Sequence, residues 1–167
     1  LGGNRVRVGV LLPRYNDCQL AYECVRSINA HIYDSVEDDY ILFYENISNF
    51  PVVPLCAAMT PDEMCMFNDG ILISTNMNNL ESTIKTVNTS QKVLYLADIE
   101  WIRPNYNRNY KQNLECLDGV KLIARSDRHA QILRNYCDRD VSVMRNFNIP
   151  EIVRQVKNVQ EEISETN

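Results

Sequence analysis

KVLYLADIEWIRP, residues 92–104, is the stretch whose reading decides the fold. Val93, Leu94, Tyr95 and Leu96 make an apolar run too short for a helix, and their β-forming character reads as a strand buried on both faces. Such strands belong to parallel sheets covered by helices on either side. Asp98 and Glu100 then fall at the carboxyl end, the edge at which open parallel sheets receive ligands because a crevice opens between the loops. The search for function therefore starts at Asp98.

Working outward, the same kind of run recurs on both sides. Arg5–Leu12, RVRVGVLL, reads as a first strand ended by Pro13, and Asp17 is placed to cap a helix running to about residue 32, with Leu20, Ala21, Cys24, Val25 and Ile28 inward. Tyr40–Tyr44 is a second strand and Pro51–Leu55 a short extended piece. Thr60-Pro61-Asp62-Glu63 starts a helix, with Pro in the first turn and acids at the positive end of the dipole. Gly70–Ser74, GILIS, is the next buried strand, and Asn76 to Asn79 offer caps for a helix through about Val87. Beyond residue 104 come the strand Val120–Ala124, a helix capped by Ser126-Asp127 through about Cys137, the strand Val141–Met144, and Ile149–Ile163 with apolar residues at helical spacing. Six or seven strands alternating with helices imply a Rossmann-like, doubly wound α/β domain with a mostly parallel sheet and helices on both faces. Residues 4–148 supply sheet and helices, and 149–167 a C-terminal helix and polar tail, in one domain. The loop after the first strand, PRYND, holds no G-x-G-x-x-G, which argues against an NAD domain and a nucleotide-binding regulator.

Composition bounds the rest. With 167 residues, 45% hydrophobic and 23% charged, the chain has globular values and room for one α/β domain, which excludes a disordered protein. No apolar run approaches the roughly 18 residues a bilayer span needs, and the N-terminus lacks the order of a signal peptide, so a soluble, cytoplasmic protein without membrane contact is expected. The six cysteines show no C-x-x-C pair and no histidine spacing for zinc, so free thiols are expected and no metal site. Net charge is −5, yet residues 101–145 carry 9 basic and 5 acidic side chains while residues 1–100 carry 6 and 13. The positive excess begins just after the strand that leads to Asp98, as a phosphate-meeting surface would, although a solvated face has the same look.

Several of these pieces together resemble a known family. RVRVGVLLPRYN, GILISTN, KVLYLADIEWIRPN, VKLIARSDRHAQIL and VSVMRNFNI, spread over residues 5 to 150, are similar to the N-terminal, acceptor-side domain of GT-B glycosyltransferases, and most of all to the phage DNA α-glucosyltransferases. YLAD stands where the family has an acidic motif of His-Asp type, with Ala97 in place of the His; ARSDRHA matches its serine-led helix, and RNFNI its boundary turn. The resemblance implies sugar transfer from a nucleotide-sugar such as a UDP-sugar to 5-hydroxymethylcytosine in DNA, inside a phage-infected bacterium, with no cofactor. It also implies a donor site in a second domain. Because the expected boundary lies near residue 150, that site would come from self-association or from a partner chain.

For such a transfer the acceptor oxygen needs a proton acceptor and the departing diphosphate needs positive charge. Asp98 is the candidate catalytic base. Arg14, Arg103, Arg108, Lys111, Arg125 and Arg128 are candidates for phosphate or DNA, because guanidinium forks match phosphate oxygens. Trp101 is a candidate for stacking on a base or sugar, and Glu100, Ser126 and His129 complete the set. Each has a plainer alternative: Asp98 caps the next turn, Arg103 pairs with Glu100, Trp101 packs, and His129 faces solvent or packs. A non-catalytic Rossmann-like module that docks DNA or a partner enzyme is the competing reading.

Overall fold

The structure, a computed structural model, describes residues 6–15, 18–34, 38–47, 52–85, 91–99, 115 and 117–165. Among them lie seven strands: β1 (Arg7–Tyr15), β2 (Asp39–Ile47), β3 (Ala57–Met59), β4 (Ile71–Ser74), β5 (Gln91–Leu96), β6 (Val120–Ala124) and β7 (Val141–Val143). The helices are α1 (Gln19–Asp34), a 3-10 turn (Pro61–Met66), α2 (Met77–Ile84), α3 (Asp127–Cys137) and α4 (Ile149–Glu165). All six strand pairings are parallel, in the order β3-β2-β1-β4-β5-β6-β7. The chain winds outward from β1 to one edge and then from β4 to the other, which makes the fold Rossmann-like and doubly wound, with its topological switch between β1 and β4.

The apolar runs are continuous because both faces of the sheet are covered. Val8, Val10, Tyr95 and Ile123 pack under α1 and α4, against Cys24, Ile28, Ile152 and Val156. Leu94, Leu96, Leu122 and Ala124 face the other way, onto Leu80 of α2 and Leu133 of α3. Leu11, Phe43 and Leu72 close over Met64 and Phe67 of the 3-10 turn. Helix α4 is therefore part of the core, and its start is bound to α1 through the Ile149 N–H, which donates to Ser27 Oγ at 2.9 Å.

The structure refines these local expectations. β1 runs through Pro13 to Tyr15: β4 ends at Ser74, opposite Leu11, so beyond that point β1 is locally an edge strand, where proline's missing N–H costs no ladder bond. The third strand, Ala57–Met59, lies just beyond the piece Pro51–Leu55, whose two prolines lack the N–H that a ladder to β2 needs. Cys18 precedes α1, its Sγ accepting from the Ala21 N–H at 3.4 Å; Asp17, the expected cap, and Val87 beyond α2 lie outside the described residues. The Thr60 start is a 3-10 turn, with the Glu63 carboxylate accepting from the Thr60 N–H at 2.8 Å. No helix among the described residues is long and apolar enough to cross a membrane.

At the turn into β4 two backbones come close. Gly70 has φ +144°, and a Cβ there would stand 2.3 Å from the Arg7 carbonyl oxygen at the start of β1. Gly70→Ala should lower the unfolding free energy by about 3 kcal/mol, through strain plus overpacking, read from the urea midpoint at unchanged slope. A loss under about 0.5 kcal/mol, the size of an ordinary surface change, would show that the two backbones are not held together here.

Candidate functional site at the carboxyl edge of the sheet

Because every pairing is parallel, the carboxyl ends of all seven strands share one edge. Side chains and lateral backbone bonds take over there as the ladders run out. Thr75 Oγ1 donates to the Leu11 carbonyl at 2.7 Å, holding the end of β4 to β1 across the switch point. Asn76 caps α2, its Oδ1 accepting from the Asn79 N–H at 2.7 Å. Leu96 pairs with Ala124, and the Arg125 N–H donates to the Leu96 carbonyl at 3.0 Å, while the Met144 N–H donates to the Ala124 carbonyl at 2.8 Å. Asp98 after β5, Arg125 and Ser126 after β6, and Arg145 after β7 are thus carried on neighbouring, laterally bonded turns.

Asp98 is exposed, and its Oδ1 accepts from the Ile99 N–H at 2.6 Å. Arg125 is partly buried and donates from Nη2 to Glu23 Oε1 at 3.3 Å, joining the end of β6 to the first turns of α1. Gln19 donates to the same oxygen at 2.7 Å, whereas Glu23 Oε2 is buried without a hydrogen-bond partner among the described residues. Ser126 caps α3 by accepting from the His129 N–H at 3.2 Å, so its hydroxyl is engaged in structure. His129 is half-buried, its Nδ1 enclosed without a partner among the described residues. Arg128 is exposed on the first turn of α3, and exposed Arg145 lies 3.6 Å from Asp127. The sheet therefore gathers Asp98, Arg125, Ser126, Arg128 and His129 on one edge. The side chain of Arg14, and Glu100, Trp101, Arg103, Arg108 and Lys111 altogether, lie outside the described residues.

Beneath the Glu23–Arg125 pair stands Tyr95. Its hydroxyl donates to the Met144 carbonyl at 3.2 Å and its ring meets Phe147 edge-on at 5.1 Å. Burial, and secondarily the Glu23 carboxylate, push its pKa up to about 12. The Cys24 thiol on α1 is raised by the same two causes, which keeps it protonated and unreactive at neutral pH. Beside this group, between α1 and the turn into α4, runs an open groove of about 690 Å³ walled by Gln19, Glu23, Arg26, His31, Asn146 and Asn148.

Glu23, Gln19, Tyr95 and Arg145 were not among the sequence candidates. Glu23 reads as a charge on a helix surface, and only the approach of Arg125, 102 residues away, reveals its place. The described cysteines are free thiols, with Cys116 outside the described residues, and no three His, Cys, Asp or Glu side chains among the described residues gather as metal ligands. Comparison with protein-family models, curated proteins and solved structures finds no match.

The raised Tyr95 pKa has a sign. A group whose pKa is higher folded than unfolded contributes stability in full below the unfolded value, near 10, and loses it as pH rises through about 12. Tyr95→Phe should be less stable than the parent at pH 8 by about 1 kcal/mol, the worth of one hydrogen bond, with the gap narrowing between pH 10 and 12 in urea unfolding. A gap independent of pH would remove the phenol from that account.

Proposed function

We infer that this chain serves as the acceptor-side domain of a GT-B-like glycosyltransferase acting on 5-hydroxymethylcytosine in DNA with a nucleotide-sugar donor. The observation that carries the reading is the juxtaposition of an exposed carboxylate, Asp98, with Arg125, Arg128 and Arg145 on the carboxyl edge of a doubly wound sheet. Asp98 would accept the proton of the attacking hydroxymethyl oxygen as that oxygen bonds to the sugar's anomeric carbon. The anomeric bond to the diphosphate breaks, and the nucleoside diphosphate leaves with the bonding pair. The exposed guanidinium groups would hold phosphate, either of the DNA backbone or of the leaving group. Arg125 contributes less freely, because Glu23 already shares its charge.

One observation favours the non-catalytic alternative, a module that docks DNA or a partner enzyme. The Asp98 carboxylate turns back to the Ile99 N–H, as a residue shaping a turn does.

The two readings separate in one experiment. Duplex DNA containing 5-hydroxymethylcytosine, incubated with the protein and a panel of sugar nucleotides beginning with UDP-glucose, should gain a hexose or pentose mass in mass spectrometry. Asp98→Asn should slow that gain by about 10²–10⁴-fold, the scale of general-base catalysis, while unfolding stays cooperative. No gain with any sugar nucleotide, together with DNA affinity that falls steeply with salt, would leave the docking module.

A further inference from the structure

The opposite edge of the sheet carries a second concavity that neither reading uses. It lies at the amino ends of β5 and β6, has a volume of about 430 Å³, and is bounded by Lys92, Gly119, Lys121, Arg139, Asp140 and Val156. Three cations against one carboxylate give it a positive balance in a chain whose net charge is −5. The cations differ in how they are held. Lys92 donates from Nζ to the Ile84 carbonyl at 3.2 Å, fixed at the end of α2. Arg139 donates from Nη2 to the Val120 carbonyl at 3.0 Å, and its other terminal nitrogen, Nη1, is buried with no hydrogen-bond partner among the described residues. Lys121 is half-buried and takes no part in a described hydrogen bond or ion pair.

A buried guanidinium nitrogen without an acceptor costs free energy, and the cost falls when an oxyanion meets it. The backbone leaves room for one: a Cβ on Gly119 would touch nothing within 4 Å. Val120, Leu122 and Val156 give the same concavity apolar walls, and its volume falls in the range of small-ligand sites. We propose that this amino-edge pocket binds a small phosphomonoester, with Lys121 and the Arg139 guanidinium, which turns its enclosed Nη1 outward, on the phosphate and the apolar walls on its organic part. A phosphate suits the pair because one anion accepts from both a guanidinium and an ammonium at once. Asp140, the one carboxylate among the described lining residues, is exposed, so solvent weakens its hold on the two cations.

Phenyl phosphate is the probe, since it joins one phosphate to one apolar ring. Titrated into the ¹⁵N-labelled protein, it should shift the amides of Gly119, Lys121, Arg139 and Asp140 saturably, and leave those of Arg125 and Ser126 on the far edge unmoved. Lys121→Gln should weaken binding by about tenfold, the loss of one charge-assisted hydrogen bond, with an unchanged melting temperature because the side chain is partly exposed and supports no other group. Absence of a saturable shift, equal affinity in Lys121→Gln, or shifts confined to the carboxyl edge would each overturn the assignment. A failure of sugar transfer at Asp98 would leave it untouched.

Discussion

The structure depends on β1 being hydrogen-bonded on both sides by strands that run its own way. Val8 to Leu11 pair with Tyr40 to Phe43 on one flank and with Ile71 to Ser74 on the other. A parallel neighbour can be reached only by a crossover that returns the chain to the starting edge, so helices are forced onto both faces and every strand finishes at the same rim. Gly9 makes this centre possible. A Cβ there would lie 2.6 Å from Leu72 Cδ1 and 3.0 Å from the Phe67 ring, and its absence lets Phe67 and Phe43 meet edge-on at 6.1 Å over the strand. From that one arrangement follows the juxtaposition of Asp98 with Arg125.

At the rim the ladders end, and the backbone groups left over need partners. The chain answers with short polar side chains at or just past the ends of β4 and β6. Thr75 takes the Leu11 carbonyl, Ser74 shares a 2.6 Å hydrogen bond with Thr83 Oγ1, and Asn76 and Ser126 cap the helices that follow. Tyr95 does the same from within β5 by reaching the Met144 carbonyl. These bonds make the carboxyl edge stiff, which is what a site needs if exposed groups such as Asp98 are to be held in fixed relation to their neighbours.

Where local chemistry decides the outcome, the residues reveal it directly. KVLYL and ILIS are strands because short runs of aliphatic and aromatic residues bury both faces best in a covered sheet, and Asn76 and Ser126 cap because their side chains can accept from the next turn. The edges of elements were less legible. Pro13 ends a strand in a sheet interior but not where the neighbour has already stopped, and nothing near Pro13 in sequence says where β4 stops. The candidate site was legible only in part for the same reason. Asp98 and Arg125 follow from strand ends, but the Glu23–Arg125 pair and the Tyr95 bond to Met144 span 102 and 49 residues and are written in no local pattern.

Charge shows the point most clearly. The basic excess of residues 101–145 looks like one surface when counted along the chain, but a winding chain visits both rims in turn. Lys121 opens β6 at the amino edge; Arg125 leaves it at the carboxyl edge. Helix α3 then carries the chain back over about 16 Å, so that Arg128 stays at the carboxyl edge while Arg134 reaches the Val141 carbonyl at the start of β7 and Arg139 the start of β6. Among the described residues the cations of this stretch are thereby divided between two regions with the sheet between them. A polyanion lying along the carboxyl edge meets Arg125, Arg128 and Arg145 and not Lys121 or Arg139. The two groups of cations thus face opposite edges of the sheet, and neither holds all the described cations of the stretch.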